Sequence, residues 1–282
     1  TNEAKEYFRA LRQVHYFIDE KSPEALDMAF AKERTDDRKV WLTDYDIGAT
    51  VDVEQEKVSY SEFVNLELKH FSIYDLQRSI GHISDGLKPS QRKILYGCFK
   101  RKLYKEIKVA QLAGYVSEHT GYHHGEESLN KAIIGMAQQF VGSNNLNLLE
   151  PNGQFGTRLQ GGKDAASPRY IFTLLSPLTS KLFPQDDMPL LEYLDDDGMK
   201  VEPRYFVPIL PIALLNGVHG VGTGYSTMIP MYSPNKICDA FIKKLKEGTE
   251  FSPLMPHYNG FGGKMIELSS KSYLTKGLYE IT

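Results

Sequence analysis

The chain has 282 residues, with 33 Lys and Arg against 36 Asp and Glu for a formal net charge of −3, long enough to bury a sizeable core and to hold more than one unit. Its longest apolar stretch, "VPILPIALLNGV" (207–218), is broken by Pro208, Pro211 and Asn216 and is too short to span a bilayer, and the charged opening "TNEAKEYFRA" lacks the apolar core of a secretory signal. Cys98 and Cys238 are the only cysteines and sit in no metal-ligand spacing, which excludes a disulfide framework and a zinc site and fits a reducing intracellular compartment.

The opening "TNEAKEYFRALRQVHYFID" spaces Ala4, Phe8, Leu11 and Val14 on one helical face. Ser22 and Pro23 are expected to start a second helix running through Met28 and Phe30, and Thr35 to cap a short third one carrying Trp41. A polar stretch poor in strand signals, 44–60, precedes a new apolar rhythm in "FVNLELKHFSIYDLQRSI". A unit boundary is placed near residue 70, so that 1–70 reads as a helical linker.

The next unit, 71–205, reads as helix-rich. "SQRKILYGCFKRKL" turns Ile94, Leu95, Cys98 and Leu103 towards a core and leaves Arg92, Lys93, Lys100 and Arg101 outside, with Ser90 at the N-cap. "KVAQLAGYVSEH" follows after a brief turn, and the pair has the proportions of a helix-turn-helix. A third helix is expected from Ser128, with Glu126 and Glu127 suiting its positive end. After residue 205 the chain is expected to be β-rich, with strands at "KMIEL" and "GLYEIT". The fold class is α+β. Without an initiator Met, and stopping within an expected strand, the sequence reads as a segment of a longer chain.

Charge is polarised along the chain. Between Leu87 and Lys131 nine basic residues face four acidic ones, a net +5, whereas 184–202 carries seven acids against Lys200 alone, a net −6. The basic segment argues for a polyanionic partner despite the acidic total. The Gly-rich 216–226 lacks the Gly-Lys-Ser/Thr of a phosphate-binding loop, which argues against a nucleotide site there. In "GGKDAASPRYIF" (161–172), Gly161, Gly162, Ala165, Ala166 and Ser167 allow a backbone or ligand to come close, and Pro168 pushes Ser167 towards an extended conformation. A tyrosine presented that way, Tyr170, is a candidate nucleophile.

Four stretches taken in order, "DGLKPSQRKILYG", "TGYHHGE", "VGSNNLNLLEPNGQFGTR" and "KDAASPRY", resemble the DNA breakage-reunion core of type IIA topoisomerases, of the eukaryotic topoisomerase II kind. The resemblance covers essentially the whole chain. It implies a linker after a metal-binding TOPRIM domain, then a winged-helix domain over 71–205 and the start of a tower domain over 206–282. It also implies that Tyr170 attacks a DNA phosphodiester and becomes joined to the 5′ end of the broken strand. A free phenol titrates near about 10 and needs help at neutral pH, yet leaves readily when the strand is resealed. Arg169, by adjacency, and Arg78 in "LQRSIG" would set guanidinium forks on the phosphate. His124 matches the family's histidine at the scissile phosphate. Lys88, Arg92 and Lys163 are expected to contact DNA, and Val221, in "GVHGVGTGYST", to enter a base step. His123 stays open between a packing partner and a DNA contact.

The resemblance further implies double-stranded DNA and a second copy of the chain as partners. Mg²⁺ would be held in the TOPRIM domain and ATP in a more distant one, with no metal ligands expected here. Localisation would be nuclear for a cellular eukaryote, and a cytoplasmic replication site or the host nucleus for a large DNA virus. Val218-His219 and Tyr225 stand where relatives usually show Ala-Glu and Trp, and Ser167-Pro168 replaces the usual small pair, which suggests a divergent lineage. The competing reading is a winged-helix module that binds and bends DNA without cutting it.

Overall fold

The computed structural model describes residues 2–9, 13–52, 54–270 and 272–281. Two compact units are present: one comprises the chain up to Ile80 together with 220–227, the other 81–219 and 228 onwards.

In the first unit, helix α1 (Asn2–Arg9) buries none of its residues. The expected continuation to Val14 does not form, and Leu11 lies outside the described residues. Instead His15–Phe17 makes strand β1, as suits aromatic residues. Tyr16 stacks on Tyr60 at 5.8 Å and meets Phe63 edge-on at 5.5 Å. Helix α2 (Ser22–Phe30) has Pro23 in its first turn and Ser22 bonded to Asp19. Helix α3 (Thr35–Thr43) begins one residue earlier than a cap at Thr35 requires, because a 3₁₀ turn at Lys32–Arg34 leads into it. Strand β2 (Lys57–Ser59) pairs in parallel with β1 within the stretch read as poor in strand. Ser59 and Glu62 then form a reciprocal capping box that opens α4 (Tyr60–Phe63). A π-helical turn, Val64–Leu68, carries α4 into α5 (Lys69–Ser79). Residue 70 thus lies inside α5, and the compact units part after Ile80. Ala25, Met28 and Val64 form this unit's small core.

The second unit is built on α6 (Pro89–Arg101), strand β3 (Ile107–Lys108), α7 (Val109–Thr120) and α8 (Glu126–Ala137). Helix α6 starts at Pro89, so the cap position is Lys88 and Ser90 falls in the first turn; the Lys88 amide donates to Gln91 Oε1 at 2.9 Å. Helix α7 ends on the left-handed Gly121, and α8 starts two residues before Ser128 with Glu126 and Glu127 in its first turn. Ile94, Leu95, Cys98 and Leu103 are buried as the spacing predicts, with Leu112, Val116, Leu129 and Ile133. Burial pushes the Cys98 thiol up to about 12, which leaves it an inert hydrophobe.

Two basic residues expected outside are not there. Arg92 is only 5% exposed. Its Nε donates to Asp85 Oδ2 at 2.8 Å, and one terminal nitrogen donates to Asp85 Oδ1 at 3.0 Å and to the Leu87 carbonyl at 2.9 Å. Lys93 is half-buried and donates to the Thr120 carbonyl at 2.5 Å and to Glu202 at 2.9 Å. Lys100 and Arg101 do remain exposed.

Strand β4 (Phe172–Thr173) pairs antiparallel with β3, Lys108 opposite Phe172. After α9 (Thr179–Leu182), strands β5 (Tyr193–Asp196) and β6 (Met199–Pro203) make a hairpin of the acidic stretch. Positive φ at Asp197 and Gly198 forms its tight turn. Helix α10 (Ile212–Leu215) leads to a ribbon of β7 (Val218–Gly222) and β8 (Tyr225–Ile229). The expected β-rich tail contains the 14-residue helix α11 (Pro234–Glu247), started by Pro234 and stopped by Gly248. Strands β9 (Lys264–Ser269) and β10 (Ser272–Lys276) follow; the second ends before "GLYEIT", whose described residues form no strand. No helix among the described residues is long and apolar enough to cross a membrane.

Removing one partner of the buried Asp85–Arg92 pair leaves the other charge stranded. Asp85→Ala is expected to cost about 3–5 kcal/mol in urea unfolding, against less than about 0.5 kcal/mol for Lys100→Ala on the open face of α6.

Candidate functional site

The turn that carries Arg169 and Tyr170 is held by its own backbone. The Tyr170 amide donates to the Ser167 carbonyl at 2.9 Å, while the Pro168 carbonyl accepts from Ala110 and the Ile171 carbonyl from Val109, each at 3.0 Å. Val109 and Ala110 open α7, where amides have no partner within the helix. The first turn of α7 therefore grips the carbonyls on either side of Arg169-Tyr170. Ile171 is 2% exposed and anchors the exit, whereas Tyr170 is 73% exposed, and Arg169 is exposed as well.

The small residues upstream have a local cause. A side chain at Gly156 would drive into the Gly162 backbone, at 2.6 Å from its Cα, and both glycines have positive φ. Gln138, just past α8, donates its amide to the Phe155 carbonyl at 2.8 Å. Thr157 donates its amide and its hydroxyl to the two carboxylate oxygens of Asp164, both at 2.8 Å. Ala165 and Ala166 pack on the main core, and the Ala166 amide donates to the Gln154 carbonyl at 2.9 Å. The close approach read from the sequence is thus the loop folding on itself.

The other expected residues are placed as follows. His123 and His124 lie in the link between α7 and α8, both exposed. His124 meets the Tyr122 ring edge-on at 5.6 Å, and His123 Nε2 is 3.5 Å from Asp196 on the acidic hairpin. Lys88 is half-buried and lines a cleft of about 350 Å³ with Ser90, Gln91, Ser143, Asn144 and His219. Lys163 is exposed on the loop. Arg92, expected to reach DNA, is turned inward, and its guanidinium is engaged by Asp85 and Leu87. These residues belong to the second unit, whereas Arg78 and Val221 belong to the first.

In the first unit Arg78 is exposed at the end of α5, with two nitrogens 3.3 Å from Asp75 Oδ1. The other Asp75 oxygen accepts from the Thr223 amide at 3.2 Å and its hydroxyl at 3.3 Å, so one carboxylate holds both Arg78 and the ribbon tip. A side chain at Gly220 would strike the Ser79 carbonyl, and one at Gly222 would come within 2.9 Å of Leu76. The two glycines seat the ribbon on α5, and Val221 between them is 68% exposed.

Sequence reasoning missed two asparagines. Asn145 donates to the carbonyls of Tyr232 (3.0 Å) and His257 (2.9 Å) and accepts from the Asn259 amide (2.7 Å). Asn216 pairs with both backbone groups of Leu146. The run "SNNLN" between apolar stretches was the available signal. For a metal, the fit is poor: among the described residues no three His, Cys, Asp or Glu side chains converge. Asp164 is committed to Thr157, and Asp195–Asp197 belongs to the hairpin and its turn.

Residues 78–282 match the family model of DNA gyrase/topoisomerase IV, in its DNA-cleaving chain, and residues 1–76 that of the C-terminal associated domain of TOPRIM. The chain belongs to the DNA gyrase/topoisomerase IV family. It is 53% identical to DNA topoisomerase 2 of Arabidopsis thaliana, over 99% of this chain and 19% of that protein. It is 48% identical to DNA topoisomerase 2 of Plasmodium falciparum, over 98% of this chain and 20% of that one. A crystal structure of the Plasmodium falciparum topoisomerase II DNA-binding, cleavage and re-ligation domain superposes with a TM-score of 0.86 at 47% identity, covering all of this chain and 39% of that one. The chain thus spans about one fifth of the length of these curated relatives.

Because Val221 packs against little, Val221→Ala should change unfolding free energy by no more than about 0.5 kcal/mol. A cost of about 2 kcal/mol or more in urea unfolding would make Val221 a packing residue.

Proposed function

We propose that this chain is the cleavage core of a type II DNA topoisomerase, in which Tyr170 breaks and reseals one strand of duplex DNA through a 5′-phosphotyrosyl bond. The observation that carries the reading is the turn gripped by α7, which exposes Arg169 and Tyr170 while burying Ile171 beside them. A packing tyrosine would share the burial of its neighbour. In the proposed step the phenol oxygen forms a bond to phosphorus, the bond from phosphorus to the 3′ oxygen breaks, the phenol proton is lost and the 3′ hydroxyl gains one. The reverse step reseals the strand.

Arg169 and Arg78 supply guanidinium groups to the phosphate oxygens as charge builds, and His124 contacts the phosphate or orients the proton transfer. Lys88 and Lys163 bind phosphates flanking the site. Val221 wedges a base step from the minor groove, where insertion bends the duplex. The residues 71–205 act as the winged-helix domain and 206–282 as the start of a tower. The residues here do not fit Mg²⁺ or ATP, and both belong in this proposal to other domains of the longer protein. A second copy supplies the second Tyr170, so that both strands open for another duplex to pass.

In the full-length protein, Tyr170→Phe should abolish the covalent protein–DNA complex on denaturing gels while duplex binding stays within about twofold, because only the attacking oxygen is lost. Arg169→Lys should slow the complex by about 10- to 1000-fold, since an ammonium cannot reproduce the bidentate fork. Covalent complex persisting in the Phe variant defeats the assignment.

For Lys88→Gln, binding should weaken alike on all sequences and the salt slope should fall by about one unit. An unchanged slope would remove Lys88 from the phosphate contacts.

A further inference from the structure

The loop 157–164 lies immediately before the Arg169-Tyr170 turn, and its ends are tied by a single side chain. Asp164 accepts the Thr157 amide on one carboxylate oxygen and the Thr157 hydroxyl on the other, both at 2.8 Å. Inside that closure the Gly162 amide donates to the Thr157 carbonyl at 2.9 Å and the Gly161 amide to that of Arg158 at 3.1 Å. From outside, Gln138 reaches the carbonyls of Phe155 (2.8 Å) and Gly162 (3.4 Å), and Arg158 reaches that of Val141 at 2.9 Å. Nothing apolar holds the loop itself: Leu159, its largest side chain, is 91% exposed. Its shape therefore rests on polar bonds, of which the Asp164 pair is the only one that joins its two ends through a charged group.

From Asp164 the chain has two alanines, Ala165 and Ala166, both against the core, before the Ser167 carbonyl that receives the Tyr170 amide. No flexible residue intervenes between the closure and the turn. We infer that Asp164, through its two-point bond to Thr157, is a positioning residue for Arg169 and Tyr170. It touches neither the phosphate nor a metal; it fixes where the 165–168 segment starts, and hence the direction in which the following turn presents its side chains. The bonds from Thr157 hold the Asp164 carboxyl below its ordinary value. The closure is thus complete above the usual aspartate range and is lost only as pH falls through that lowered value. At neutral pH it is permanently shut, a fixed support and not a switch.

An asparagine at 164 has one acceptor oxygen where the aspartate has two, so it cannot take both Thr157 donors. The inference rests on Tyr170 being the nucleophile, and the experiment keeps the two apart. In the full-length protein with Mg²⁺, Asp164→Asn and Thr157→Val should each slow covalent complex formation by about 10- to 100-fold, the scale of a small misplacement of a reacting group. Duplex affinity should stay within about twofold and the melting temperature within about 2 °C. Thr157→Ser, which keeps the hydroxyl, should restore the rate, and the double variant should be no slower than the slower single one. Wild-type rates in Asp164→Asn, or a loss of rate matched by equal losses in affinity and melting temperature, would overturn the positioning role while leaving Tyr170 in place. Covalent complex in a Tyr170→Phe control would overturn both.

Discussion

Asp85 is fully buried, and its carboxylate accepts four hydrogen bonds: two from Arg92, one from the Leu87 amide and one from the Phe206 amide. A buried ion pair offsets its desolvation only when every lone pair and proton is engaged, and here both oxygens are used twice. The consequence is geometric. The turn before α6, the rotation of α6 about its own axis and the backbone at Phe206, 121 residues away, are fixed to one another. Phe206 then meets Phe99 at 5.9 Å and Phe183 at 5.5 Å in the core. Helix α7 packs on α6, and its first turn grips the Tyr170 loop. The placement of the exposed tyrosine is therefore traceable, contact by contact, to one inward-facing charge.

That charge was the least legible feature of the sequence. The apolar spacing of Ile94, Leu95 and Cys98 identifies the buried side of α6 without help, because helical period alone decides it. Arg92 sits beside that side, and a basic residue there reads as surface unless its partner is known. The partner is seven residues upstream, outside the helix, where no periodicity points. Strand β1 was hidden for a related reason. His15–Phe17 continues the pattern of a helix, but its pairing with Lys57–Ser59 depends on residues some forty positions later. Helix α11 carried its own start and stop signals in Pro234 and Gly248, which were outweighed by glycine-rich turns around it. Tyr170, in contrast, was legible from its approach. A run of residues with almost nothing to pack announces a tight local fold, and such a fold exists to hold something outside it.

The charge polarity along the chain also changes meaning once folded. The acidic stretch 184–202 does not stand apart as a negative patch. Glu202 takes Lys93 of α6, Asp196 faces His123, and the Lys200 ammonium sits 3.9 Å from the centre of the Tyr193 ring. Gly121 has no room for a side chain because Asp196 fills the place. Part of the negative charge is thus used in closing the hairpin over the end of α7 and the histidine link. The local sums of +5 and −6 overstate the contrast that an approaching polyanion would meet.

The seating of Gly220 and Gly222 on α5 divides three successive residues into two roles. The outer pair are pinned by the absence of space, and any substitution there must displace the backbone of Ser79 or the side chain of Leu76. The middle residue is bound by no such demand. Selection can therefore exchange Val221 for a longer, shorter or stiffer apolar group without renegotiating the fold beneath it. In lineages that share this scaffold, the depth to which the ribbon tip reaches into a partner is free to drift as an inherited setting, separate from everything that keeps the chain folded.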